Sequence, residues 1–525
     1  MSPRYLIRFA VLAVALAAGT AGMPAAAEPW HAAESLLVTR WAKEVSPANA
    51  LPEYPRPTQV RVDWLNLNGL WDYAVTAQDA AVPSAWDGSI LVPYPYESAL
   101  SGVGKASIPH QVLWYRRAVT IPTPWKGRRV LLHFGAVDWQ ATVYLNGVRI
   151  GDHTGCYNGF GFDITDQLKP GANELVVSAS NPIDQVGDQV RGKQRLKSEG
   201  MMYRASTGIW QTVWLEPVPE QHIVRLKVSP DLDHGVVRVG AETAGIAAGG
   251  APLAVVVSDG GVEVGSATGS SVGEVVVTIP KPHAWSPADP HLYDLRVTLG
   301  GSPGGTTADR VTGYVGMRKV GLGRSAKGQT QIQINNVFVF QVGALDQGFW
   351  PDGIYTAPTD AALRYDIEQA KKLNFNLLRK HAKVEPERWY YWADRLGMLV
   401  WQDMPQGFPE AGRWSEAGKA QFELEWKREL AERYNHPSII VWVPFNEGWG
   451  QHDSEHIVAL TRACDGSRLV DEGSGWEDKG YGDINDTHPY PGPASVIADT
   501  SRNFPHQALA NGEMGGLAIR WGSHT

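Results

Sequence analysis

The sequence predicts a multidomain chain. An N-terminal jelly-roll β-sandwich is followed by an immunoglobulin-like β-sandwich and then by a (β/α)8 TIM barrel that ends after its seventh strand. Three observations carry this. The first half is dense in short strand-like runs broken by turn residues, with no helical period between them. After Gln331, apolar strands alternate with amphipathic helical stretches, as in parallel β/α units. And 525 residues exceed what one hydrophobic core serves, so roughly three or four domains are expected.

Residues 1–27 read as a signal peptide. Arg4 and Arg8 precede the apolar stretch Phe9 to Ala18, and Ala25-Ala26-Ala27 offers a small-residue cleavage site before Glu28. That stretch is too short to cross a bilayer, and no later run reaches the ~18 residues needed. The expectation is a periplasmic or secreted protein without a membrane span.

Residues 28–219 form the expected jelly roll. VLLHFGAV (130–137), ATVYLNGVRI (141–150) and NELVVSAS (173–180) are strand runs, and Asn146-Gly147 and Pro170-Gly171 mark turns between them. Residues 220–320 repeat the β pattern with IVRLKVSP, GVVRVGAET, LAVVVSDG, GEVVVTIP and LYDLRVTLG, enough for an immunoglobulin-like sandwich of ~100 residues. The Gly- and Ala-rich stretches at 244–252 and 300–307 read as loop tips.

Residues 321–525 hold the barrel. Its strands read as FVFQVGAL counted from Val337, FNLLRKH, MLVWQDMP, SIIVWVPFNE, RLVDEG, DINDTHPY and LANGEMGG, with helices over 360–373, 387–396 and 417–434. The 195 residues from Gln331 to Thr525 fall short of the ~250 of a typical barrel. Only Leu517 to Thr525 follow the seventh strand. A C-terminally incomplete barrel, poorly active by itself, is therefore expected.

Composition narrows the partners. At 43% hydrophobic and 19% charged residues, the chain can bury large cores. The formal charge of −8 becomes −10 once residues 1–27, with two Arg and no acid, are removed. Such a surface repels phosphate backbones and argues against nucleic acid. Cys156 and Cys464 stand far apart, so no disulfide framework is encoded. The 21 Trp suit either the C–H faces of sugars or the cores of β-sandwiches.

Reactive groups of such barrels sit where strands end and loops begin. Polar residues gather there: Arg379 and His381 after the second strand, Asp403 after the third, Asn446 and Glu447 after the fourth. His488 and Tyr490 follow the sixth strand, and Glu513 the seventh. Each alone is explained as a satisfied structural group, but a purely structural barrel has little reason to build the whole ring. Glu447 and Glu513 would face each other across the mouth, the arrangement that hydrolysis of a glycosidic bond requires. A carboxyl gap of ~5–5.5 Å would permit direct attack and retention, whereas a wider one admits water and gives inversion.

NEGWGQ (446–451) and GEMGG (512–516) resemble the acid/base and nucleophile motifs of glycoside hydrolase family 2, the family of β-galactosidases, β-glucuronidases and β-mannosidases. The likeness extends through YPRPTQVRVDWLNLNGLWDY (54–73), LWYRR (113–117), TGIWQTVWLEP (207–217), LDQGFWPDG (345–353) and 378–407. The resemblance implies Glu447 as general acid/base and Glu513 as nucleophile. Asn446 would bind the sugar 2-hydroxyl, and Arg379 would orient the nucleophile and hold it ionised. Tyr490 would donate to the nucleophile, and His381 and His488 would bind sugar hydroxyls. Trp449 or Trp476 would form a stacking wall. It implies a carbohydrate substrate and no cofactor or metal, and leaves a homo-oligomer open. β-Galactosides are the default by family frequency; a glucuronidase would need a cation for the sugar carboxylate, for which Arg520 is only a weak candidate.

Two rivals compete with this reading. HDSEH (452–456) fits the H-x-x-E-H pattern of one zinc-peptidase class, with His452 and His456 spaced to share a helix face. The pattern is short and follows a barrel strand directly. A non-catalytic carbohydrate adhesin would account for the sandwiches and the Trp, and for a short barrel, but not for both acids.

Overall fold

The computed structural model describes residues 30–185, 187–300, 309–409, 413–492 and 504–515. The expected signal peptide, the 301–307 part of the second loop tip, and the residues from 516 on, including Arg520, lie outside the described residues.

Alternation of apolar and polar residues builds the first sandwich. Arg129–Phe134 buries every second side chain, as a strand with one face on a core must. A six-stranded antiparallel sheet runs in the order Gly88–Val92, Gly69–Ala77, Gln111–Thr120, Ala172–Ser180, Gln140–Leu145, Val148–Thr154. It faces a four-stranded sheet that includes Val213–Val218 and Arg129–Phe134. Trp71, Leu113, Tyr115, Leu132, Phe134 and Val177 fill the space between them. Asn146 and Gly147, at φ 52° and 80°, make the tight turn that their pairing announces. The second sandwich packs a three-stranded sheet on a four-stranded one over a Val-rich core, Val237, Val239, Val255, Val257 and Val297 among it.

Among the described residues, seven parallel strands follow. Gly343–Asp346, Leu377–Lys380, Leu399–Asp403, Ile439–Val443 and Leu469–Val470 form one sheet in chain order, and Ile484–Thr487 pairs with Ala508–Asn511. The central strands are buried on both faces, which is why they read as unbroken apolar runs. Helix Asp360–Lys372 starts at Thr359 and helix Glu416–Arg433 at Ser415, each hydroxyl accepting a first-turn amide. Helix Glu387–Leu396 stops at Gly397, which takes φ 70°. Trp389, Trp426 and Trp442 sit in the core beneath these helices, so much of the Trp content is structural.

Three readings are corrected. The first barrel strand begins at Gly343, not Val337: Val337–Phe338 pairs antiparallel with Thr330–Ile334 in a small sheet that also contains Val320–Arg324. The apolar run misled because Val337, Phe338 and Phe340 are exposed. A helix, Ser454–Cys464, occupies a stretch assigned none. And His452 precedes that helix, packed on Phe422 and Phe445, while His456 pairs with Glu423. HDSEH therefore builds no two-histidine face.

The jelly roll docks on the barrel through buried hydrogen bonds. Tyr94 Oη donates to the Pro358 carbonyl, and Thr356 Oγ1 reaches the carbonyls of Pro93 and Trp210.

Candidate active site

The expected polar ring assembles around Arg379. This guanidinium is buried where the second strand ends, and it binds Asp403 through Nε and Nη2, both at 3.0 Å. Nη2 also donates to Asn446 Oδ1 at 2.8 Å, and Nη1 to Glu513 Oε1 at 3.2 Å. Burial works against its charge, but the carboxylates of Asp403 and Glu513 more than offset that and hold it above the usual Arg value. Asp403 in turn is held below the usual carboxylate range: burial pushes it up, and Arg379 and His381 outweigh that.

Glu513 is buried and accepts from both sides. Besides Arg379 on Oε1, Tyr490 Oη donates to Oε2 at 2.6 Å. Glu447 sits on the loop after the fourth strand in the left-handed region, φ 53°, ahead of Gly448 at φ 77°. A non-glycine residue there carries strain of about 1 to 3 kcal/mol, which surrounding contacts must hold in place. Its amide donates to the Ser474 carbonyl at 2.8 Å. Its Oε1 pairs with His488 Nδ1 at 2.7 Å, and Oε2 has no hydrogen-bond partner among the described residues. Glu447 and Glu513 border one cavity together with Asn446, Arg379, His381, Tyr490 and Trp449. One oxygen of each glutamate and a ring nitrogen of His488 lie within 4.8 Å of one another.

The two histidines differ. His381 gives Nδ1 to Asp403 Oδ2 at 2.6 Å and turns Nε2 toward Glu513 at 3.9 Å, so one nitrogen remains for a bound molecule. Burial holds its pKa below the ordinary value. His488 was expected to bind hydroxyls, but its ring nitrogens are engaged with Glu447 and, at 3.0 Å, with Ser474 Oγ. Burial opposes its charge, yet the carboxylates of Asp486, 3.6 Å away, and of Glu447 push its pKa up to about 9. Trp449 contacts Phe408 on the cavity wall, whereas Trp476 is 50% exposed and meets the His488 ring edge-on at 5.8 Å.

Glu447, His488 and Glu513 are spaced to hold a metal ion. Protein partners already engage the set: His488 sits between Glu447 and Ser474, and Arg379 donates to Glu513.

Sequence reasoning did not single out Asp486, Ser474 or Lys193. Asp486 stands two positions before His488 on the same strand face, a period-two signal that could have found it. Lys193 borders the cavity from the jelly-roll domain, and nothing local in the sequence marks it.

A pH prediction follows from His488. Its pKa is raised from 6.5 to about 9 on folding. The stability it contributes is therefore full below pH 6.5 and lost as pH rises through about 9. It amounts to on the order of 3 kcal/mol, from that interval. His488→Asn should lower the melting temperature by a constant amount below pH 6.5, and the gap should close above pH 9. A gap independent of pH would mean that His488 is not charged in the folded state.

Three family models match the chain. They are described as "Glycosyl hydrolase 2 galactose-binding domain-like" over residues 103–208, "Glycosyl hydrolases family 2" over 221–318, and "Glycosyl hydrolases family 2, TIM barrel domain" over 357–486. Among curated proteins, a putative β-glucuronidase of Formosa agariphila is 28% identical, over 65% of this chain and 40% of its own. A β-galactosidase of Thermoanaerobacter pseudethanolicus is 26% identical, over 74% of this chain and 53% of its own. A β-glucuronidase of Bacteroides fragilis is 26% identical, over 73% and 56%. The chain thus spans about half the length of these relatives. In fold it is similar to the β-glucuronidase of Ruminococcus gnavus, with TM-score 0.69 and 20% identity over 84% of this chain and 79% of that one.

Proposed function

The chain belongs to glycoside hydrolase family 2, and from that premise we propose that it is a retaining β-glycosidase that removes a terminal β-linked sugar by double displacement. The observation that carries this is the pair Glu447 and Glu513, with oxygens within 4.8 Å across one cavity and with unlike surroundings. The spacing suits direct attack, since inverting enzymes keep their carboxyls ~6.5–9.5 Å apart.

The surroundings assign the roles. Glu513 receives Arg379 and Tyr490, donors that suit a carboxylate attacking the anomeric carbon. Glu447 keeps Oε2 free of partners among the described residues, so that oxygen can protonate the leaving group and later take a proton from water. Asn446 is turned by Arg379, which takes its Oδ1; its NH2 end then faces the sugar 2-hydroxyl. His381 Nε2 and Trp449 complete the sugar wall. Arg4, Arg8 and the small-residue cleavage pattern support export. β-Galactosides are the sequence's default substrate, and relatives named for both galactosides and glucuronides keep a panel of nitrophenyl β-glycosides as the test of activity.

The stereochemistry has its own test. Proton NMR of the first sugar released from a β-glycoside should show the β-anomer. An α-anomer appearing first would mean single displacement by water and would remove Glu513 from the attacking role.

A further inference from the structure

The sandwich domain sends one cation into the barrel's cavity. Arg191, Gly192, Lys193 and Gln194 belong to the jelly roll, yet the amides of Arg191 and Gly192 donate to the Gln406 carbonyl after the third barrel strand, at 3.2 and 2.9 Å. Gly192 permits this approach. It takes φ +59°, and a Cβ there would lie 2.4 Å from the Ala382 carbonyl oxygen, beside His381. On the other side, Gln194 is tied to Asp138 at 2.8 Å, and the Lys193 carbonyl accepts from the Tyr203 amide at 2.9 Å. The loop is fixed at both ends, and Lys193, only 6% exposed, borders the cavity shared by Glu447 and Glu513.

Its charge has no direct partner. The Lys193 ammonium makes no hydrogen bond or ion pair with any described residue. The neighbouring acids are already served: Asp403 and Glu513 by Arg379, Glu447 by His488. Among the described residues, Arg324 is the other cation on the cavity wall besides Arg379; it is exposed and donates to the Gly328 carbonyl. A largely buried lysine on a cavity wall, without a direct counter-charge, gains when an anion arrives to meet its ammonium.

We propose that Lys193 is a specificity-determining residue whose ammonium pairs with a carboxylate carried by the bound sugar, so that the site selects β-linked uronides over neutral glycosides. This rests on the glycosidase reading and moves its substrate from the β-galactoside default to an acidic sugar. Burial lowers the Lys193 pKa, and a bound carboxylate would restore its charge.

Calorimetric binding of free D-glucuronate and D-galacturonate, compared with D-glucose and D-galactose, tests this without turnover. Uronates should bind roughly 10- to 100-fold more tightly than the neutral sugars, the scale of a hydrogen-bonded charge pair. Lys193→Met should erase that preference with an unchanged melting curve, and Lys193→Arg should keep part of it. In turnover, Lys193→Met should raise KM for nitrophenyl β-glucuronide by a similar factor and leave KM for a neutral glycoside within a few-fold. Equal binding of uronates and neutral sugars, or a preference that survives in Lys193→Met, would overturn the role. A uronate preference without hydrolysis of any glycoside would keep the role of Lys193 and sink the glycosidase reading instead.

Discussion

Glu513→Gln is expected to lower turnover of any accepted β-glycoside by roughly 10⁴-fold or more, as loss of an attacking group does in other enzymes. The melting temperature should stay within a few degrees. The substitution keeps size and shape: Tyr490 can still donate to the amide oxygen, and Arg379 keeps both bonds to Asp403. What disappears is the charge proposed to attack the anomeric carbon. Arg379 then faces one carboxylate fewer, a buried imbalance that would cost stability if Asp403 did not already hold it. Near-normal turnover with clean mass-spectrometric incorporation of glutamine would remove Glu513 from the mechanism. A collapse in melting temperature would instead assign it to holding the Arg379 cluster together.

Much of this arrangement was legible because local rules and global fold agree. Asn146-Gly147 named its turn, the buried run Ile439–Val443 named a central parallel strand, and amphipathic stretches named the helices Asp360–Lys372 and Glu416–Arg433 to within a residue at each end. Arg379, Asn446, Glu447 and Glu513 were readable as a group because barrel topology brings strand ends to one face. The first strand was misplaced because Val337 and Phe338 are apolar yet exposed, and hydrophobic pattern alone cannot tell such a run from a buried strand. The partner of His488 was hidden for a different reason. Nothing in THPY says that its ring meets Glu447, 41 positions away, rather than a sugar. Lys193 is the extreme case, since its setting is made by Gly192 against Ala382, a contact between two domains. Spacing along one chain does not encode such approaches.

Glu447→Ala is expected to slow hydrolysis of glycosides with alkyl or sugar leaving groups by ~10²- to 10⁴-fold, the usual worth of general acid catalysis. Nitrophenyl glycosides should lose far less in the glycosylation step, because nitrophenolate departs without a proton. The structure adds a second reading of the same position. Glu447 holds φ 53°, where any side chain beyond hydrogen is strained. Its hydrogen bond to His488 and its amide contact to Ser474 keep it there. Alanine keeps the strain and loses the His488 bond, so Glu447→Ala should be slightly less stable than the wild type. Glycine relieves the strain, so Glu447→Gly should be about 1 kcal/mol more stable than Glu447→Ala while equally slow on poor leaving groups. A carboxylate placed in a conformation better suited to glycine, at a cost in stability, is what a position selected for chemistry looks like. Equal losses on both substrate classes would show that Glu447 does not deliver the proton. Equal stability of the alanine and glycine variants would show that the backbone there is unstrained, and that the strand end holds its acid without cost.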